Sequence, residues 1–153
     1  MFPLFPLPFV IPMFCLFLCP DADKAATRAE IFKAEGKKHY GNNEYEEALH
    51  AFTKALDIAP STWPHMSSVL GNRAATLMMI DRCIEAAEDC ERALMLSPET
   101  YRLHERRGRA LLRVGLLAQA EEAFTRMLET PSIRYVSSSA TYRRTDVPLI
   151  YSY

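Results

Sequence analysis

Between Asp21 and about Thr130, apolar and small residues return with a helical period, and charged residues fill the positions between them. The pattern predicts six helices, over 22–40, 44–58, 64–79, 82–96, 99–114 and 117–129. The breaks carry turn chemistry. "GNN" (Gly41–Asn43) and "VG" (Val114–Gly115) read as turns within helix pairs. "SPE" (Ser97–Glu99) reads as an N-cap, a proline at the first helical position and an acid near the positive helix end.

Laid over itself, the stretch repeats. Gly36, Ala48, Phe52, Ala55 and Pro60 return as Ala74, Ala86, Cys90, Ala93 and Pro98. They return again as Gly108, Ala120, Phe124 and Met127, with Pro131 one place early. The last two copies lie 34 residues apart (74 to 108), whereas the first two lie 38 apart (36 to 74), because "STWP" (Ser61–Pro64) lengthens the link. Small residues at 36, 74, 108 and at 48, 86, 120 let paired helices approach without a side chain between them. Phe32, Tyr40, Phe52, Leu77, Leu94, Leu111 and Phe124 are then expected to fill the volume between layers.

This spacing, over roughly Arg28 to Pro131, resembles the tetratricopeptide repeat (TPR). The resemblance implies an all-α solenoid of three helix-turn-helix repeats over residues 21–131. The first helix of each pair would line a concave groove and the second would lie outside. Such arrays normally end on a polar capping helix. After Pro131 no amphipathic stretch is long enough to supply one. A partner, a second copy or the rest of a longer chain, for example a J-domain protein, would then cover the last face. The longer chain is the favoured reading, although no "HPD" of a J-domain occurs here.

The flanks differ in composition. Residues 1–20, "MFPLFPLPFVIPMFCLFLCP", are uncharged and interrupted by prolines that remove helical hydrogen bonds. No Lys or Arg precedes Lys24, which argues against a secretory signal. The segment is read as a leader or a wrongly assigned start, with signal peptide and membrane anchor as alternatives. Those alternatives would place the protein in the secretory pathway, the ER or a membrane. Residues 132–153, rich in Ser and Tyr without a sustained period, read as a disordered tail.

Charge changes the picture only once it is sorted by helix. The net charge is −1, which does not point to nucleic acid. The second helices carry Glu44, Glu46, Glu47, Glu85, Glu88, Asp89, Glu121 and Glu122. The first helices carry Lys33, Lys37, Lys38, Arg73, Arg102, Arg106, Arg107, Arg109 and Arg113. A near-neutral chain therefore predicts a basic groove and an acidic back, and a basic groove concentrates acidic ligands.

Lys33 and Lys37 lie four apart, as do Arg102 and Arg106, so each pair shares a helix face, and Asn72 stands on the helix between them. The arrangement is similar to the dicarboxylate clamp of TPR co-chaperones of the Hop-like and DnaJ-linked kind. There, Lys-x-x-Gly-Asn, Asn-Arg-Ala and Lys-x-x-x-Arg grip the C-terminal EEVD of cytosolic heat-shock chaperones. Lys33 matches the first Lys, Asn72 the middle Asn, and Arg102 and Arg106 the last pair; Lys37 stands in place of Asn, and Arg102 in place of Lys. The resemblance implies a peptide-binding site of Lys33, Lys37, Asn72, Arg102 and Arg106. It also implies a cytoplasmic, non-enzymatic adaptor whose partner is a chaperone tail, with a general scaffold for another acidic or helical segment as the alternative.

Other chemistry is thin. The four cysteines form no CxxC pair, and Cys83 and Cys90 read as small buried hydrophobes. His39, His50, His65 and His104 lack HExxH spacing, so no metal is expected. GxGxxG, P-loop and GxSxG motifs do not occur, and neither a cofactor nor catalytic residues are expected.

Overall fold

The computed structural model describes residues 20–131 and 133. The leader read at 1–20 and the tail read at 132–153 therefore fall outside the described residues, apart from the backbone of Pro20 and from Ile133. Six helices follow in order: α1 (Pro20–Gly41), α2 (Tyr45–Ile58), α3 (Met66–Met79), α4 (Cys83–Leu96), α5 (Tyr101–Val114) and α6 (Leu117–Glu129). Each even-numbered helix packs on the one before it, α2 and α4 also pack on the helix that follows, and α1, α3 and α5 touch in turn. The architecture is the expected all-α array of three helix pairs.

The small residues explain the close pairing. A Cβ on Gly36 would lie 2.6 Å from Phe52 Cε1, and one on Gly108 would lie 2.7 Å from Phe124 Cζ. No side chain fits at either place without moving an aromatic ring. In the middle pair the sizes are exchanged. Ala74 replaces the glycine, and the smaller Cys90 replaces the phenylalanine, both fully buried in one cluster with Leu77 and Leu111. The ring lost from α4 is larger than the methyl gained on α3, so a Cβ fits at Ala74 where it would overpack the outer pairs. Burial, with Asp89 adding and Arg106 and Arg107 opposing, pushes the Cys90 thiol up to about 12, so it behaves as the small apolar residue expected of it.

The "STWP" insertion carries more structure than a spacer. Its Trp63 is buried against Ala29, Ala48, Phe52, Ala55 and Val69, wedging the first pair onto the second. Trp63 also donates its backbone N–H to Pro60 and accepts one from Met66.

Asn43, Asp81 and Gly115 all take positive φ (64°, 64° and 84°), at equivalent places in the three repeats. After each, a backbone N–H closes the helix end: Glu44 to His39, Arg82 to Leu77 and Leu116 to Leu111, at 2.9–3.0 Å. Asn and Asp reach the left-handed region more easily than other side chains, and Gly reaches it freely. Nothing lies within 4 Å of a Cβ built on Gly115. Gly115→Ala should therefore cost about 1 kcal/mol through backbone strain alone, read as a lower urea midpoint. No change would show that this turn relaxes to negative φ.

One expected boundary is different. "SPE" does not start a helix: Ser97 ends α4, with its N–H on Ala93, and Thr100 N–H returns to Ser97 O at 3.3 Å. Ser97–Thr100 is thus a turn with Pro98 at its second position, where the fixed φ of proline suits a turn as well as a helix start. Helix α5 begins after Thr100, which makes no side-chain cap bond.

At the far end, Leu117 and Leu128 of α6 are 66% and 60% exposed.

Candidate functional site

The centre of the molecule is the stretch Leu70–Ala74 on α3, where Asn72 and Arg73 part company. Arg73 turns to the back. Its Nε and Nη2 donate to Asp89 of α4 at 2.6 and 2.7 Å, and Nη1 donates to Thr53 of α2 at 3.4 Å. Asp89 is buried, so this fork–carboxylate pair ties three helices together outside the groove. Arg73 therefore leaves the groove cations predicted from sequence, and Asp89 leaves the solvated acidic back. The physical reason is that a buried carboxylate draws the nearest fork. Arg113 leaves too: it donates to Met78 O at 2.6 Å and to Asp81 at 3.0 Å, closing the turn between α3 and α4.

Asn72 turns the other way. With Lys37, Tyr40, Phe52, Ala75 and Arg106 it lines a concavity of about 170 Å³, so α1, α3 and α5 each send a polar donor to one place. Arg106 crosses from α5 to donate to Gly71 O at 2.5 Å. Gly71, unremarked in the sequence reading, permits the crossing: a Cβ there would meet Leu103 Cδ2 at 2.8 Å and Arg106 Nη1 at 3.3 Å.

Arg106 also borders a neighbouring concavity of about 270 Å³, with Tyr40, Ala75, Met78, Met79, Arg102, Glu105 and Arg109. The two share Tyr40, Ala75 and Arg106 and so form one continuous groove. Arg102 is exposed, its guanidinium 5.7 Å from the Tyr101 ring centroid and its Nε donating to Tyr101 Oη at 3.1 Å. That hydrogen bond raises its pKa further. Arg109 is paired with Glu105 at 2.7 Å. Its place was readable in the repeat register, where 37, 75 and 109 are equivalent positions.

Of the five residues expected at the site, Lys37, Asn72 and Arg106 share the smaller concavity, and Arg102 lines its neighbour. Lys33 borders neither. Its side chain is 9% exposed, its Nζ sits 2.5 Å from Glu30 Oε1, and the Trp63 ring centroid lies 5.8 Å away. Among the described residues no group of three or more His, Cys, Asp or Glu is placed to hold a metal ion.

The tetratricopeptide-repeat family model matches residues 29–62, which run from α1 through α2 into the insertion. This is a tetratricopeptide-repeat protein. Its array is 38% identical over 109 residues to human DnaJ homolog subfamily C member 7, covering 71% of this chain and 21% of that protein. The chain thus spans about a fifth of the length of the first relatives it matches. Among solved structures, the TPR2B domain of yeast Sti1, in a complex with an Hsp70 peptide, superposes with a TM-score of 0.65 at 26% identity. That match covers 74% of this chain and 88% of the Sti1 domain. The first TPR of Spaghetti (RPAP3), bound to the HSP90 peptide SRMEEVD, superposes with a TM-score of 0.63 at 24% identity. It covers 74% of this chain and 94% of that one, and shares the fold. The array therefore resembles those of TPR co-chaperones. Among the described residues no helix is long and apolar enough to cross a membrane.

Proposed function

We propose that this TPR array is a co-chaperone-type interaction module whose groove holds the acidic C-terminal tail of a heat-shock chaperone, on the cytosolic side of any membrane. The observation that carries the reading is the convergence of Lys37, Asn72 and Arg106, from three helices, on one concavity. A peptide ending in Asp presents two carboxylates at one point, its side chain and its terminus. Lys37 offers a mobile cation, Arg106 a planar fork, and Asn72 a neutral amide that donates without further like-charge repulsion. Arg102 and Arg109 extend the positive field to acidic residues upstream, while Met79, half-exposed beside them, offers apolar contact. Charge-assisted hydrogen bonds of about 1.5–3 kcal/mol each, set against the cost of ordering the peptide, lead to roughly micromolar affinity.

The test is a pair of peptides ending in EEVD, one with a free C-terminus and one amidated, titrated calorimetrically. The free acid should bind, and amidation should weaken it by about ten-fold or more, equivalent to about 1.4 kcal/mol. Binding should also fall as salt is raised, because the contacts are partly exposed. Equal affinity for the two peptides would replace the terminal clamp with a groove for internal acidic segments.

A further inference from the structure

Lys33 is the one expected clamp residue that lines neither concavity, and its neighbours come from its own helix, from the lengthened link and from the residue just after that link. Trp63, buried within the insertion, has its ring centroid 5.8 Å from the Lys33 ammonium. His65, edge-on to Trp63, places Nε2 3.8 Å from Glu30 Oε2. The other oxygen of Glu30 meets Lys33 Nζ at 2.5 Å. Glu30 is itself half-exposed, so it can be displaced or replaced without emptying the core.

We propose that Glu30 is an internal carboxylate that occupies Lys33 in place of a ligand, held there by Trp63 of the insertion and by His65 just after it, and that it sets the groove's affinity for acidic tails below what its cations allow. The proposal rests on the tail-binding reading above for its ligand. An ammonium whose charge is already offset by one carboxylate gains less from a second, because the incoming peptide must either displace Glu30 or bear its like-charge repulsion. The donated hydrogen bond from Lys33 holds the Glu30 carboxyl below its ordinary range against a smaller effect of burial, with the charges of Lys33, His65 and Lys37 adding, so Glu30 stays ionised. The bound-state donors are then Lys37, Asn72 and Arg106, with Lys33 in reserve.

The test uses the full chain and the peptide SRMEEVD. Lys33→Ala alone should weaken binding by less than about two-fold. Glu30→Gln should strengthen it by about three-fold or more, and Lys33→Ala in the Glu30→Gln background should abolish that gain. A ten-fold loss from Lys33→Ala alone, or no gain from Glu30→Gln, would overturn the proposal. A second readout needs no peptide: amine acylation mapped by mass spectrometry. Lys33 should label several-fold more slowly than the exposed Lys37, and Glu30→Gln should raise its rate. Equal labelling of Lys33 and Lys37 in the wild type would remove the sequestration itself. Failure of every variant to bind SRMEEVD, with Lys33 still protected, would instead sink the tail-binding reading and leave Glu30 without a competitor.

Discussion

Asp89→Ala should lower the unfolding free energy by about 3 kcal/mol, with a smaller loss for Asp89→Asn, both read from urea denaturation. Asp89 is 5% exposed at its side chain, and Arg73 is 16% exposed. Removing one member of a buried pair leaves the other desolvated and uncompensated, which costs about 3–5 kcal/mol in fully enclosed cases. The lower end is expected because Arg73 keeps some access to water. Arg92, 3.7 Å from the same carboxylate, would lose a partner as well, but from an exposed position that contributes little. The double replacement Arg73→Met with Asp89→Leu should recover most of the loss, since apolar residues can fill the site without leaving a lone charge. A loss below about 1 kcal/mol for Asp89→Ala would mean that the pair opens to solvent and does not join α2, α3 and α4.

Asn72→Ala and Arg106→Ala should each weaken binding of a free-acid EEVD peptide by about ten-fold or more, the equivalent of one charge-assisted hydrogen bond. The two should differ in their effect on the fold. Arg106 donates to the Gly71 carbonyl, so its removal should also cost about 1 kcal/mol of stability. The Asn72 side chain lines the concavity, so Asn72→Ala should leave the melting temperature nearly unchanged. Arg106→Lys should keep the charge but lose the fork, and fall between wild type and alanine. Wild-type affinity in Asn72→Ala would remove the central donor from the proposal and with it the clamp. Affinity measured together with thermal melts separates loss of a contact from loss of the fold.

The array was legible because its signals are local and repeat. Gly36 and Gly108 are small because an aromatic ring of the partner helix lies where a Cβ would go, and that demand recurs at a fixed spacing. The turn at Asp81 was less visible than those at Asn43 and Gly115, since only its register marks it. "SPE" misled for a specific reason: serine followed by proline satisfies a turn and a helix start equally, and the backbone bond from Thr100 to Ser97 selects the turn. The candidate site was legible at the level of helix faces. Lys37, Asn72 and Arg106 stand where the periodicity puts them, and the structure brings them to one concavity.

Small residues at a fixed interval determined the pairing and stacking of the helices from the sequence alone, because a backbone can approach closely only where no side chain intervenes. Tertiary structure alone decided which cations reach the groove. A Lys or Arg head sits at the end of a long flexible stem, and its direction is set by the nearest unpaired charge on another element. Asp89, two helices' length along the chain from Thr53, drew Arg73 to the back. Trp63, from a link that looked like a spacer, closed over Lys33. Neither neighbour can be read from the helix on which the cation stands, because each is supplied by a segment that only folding brings near.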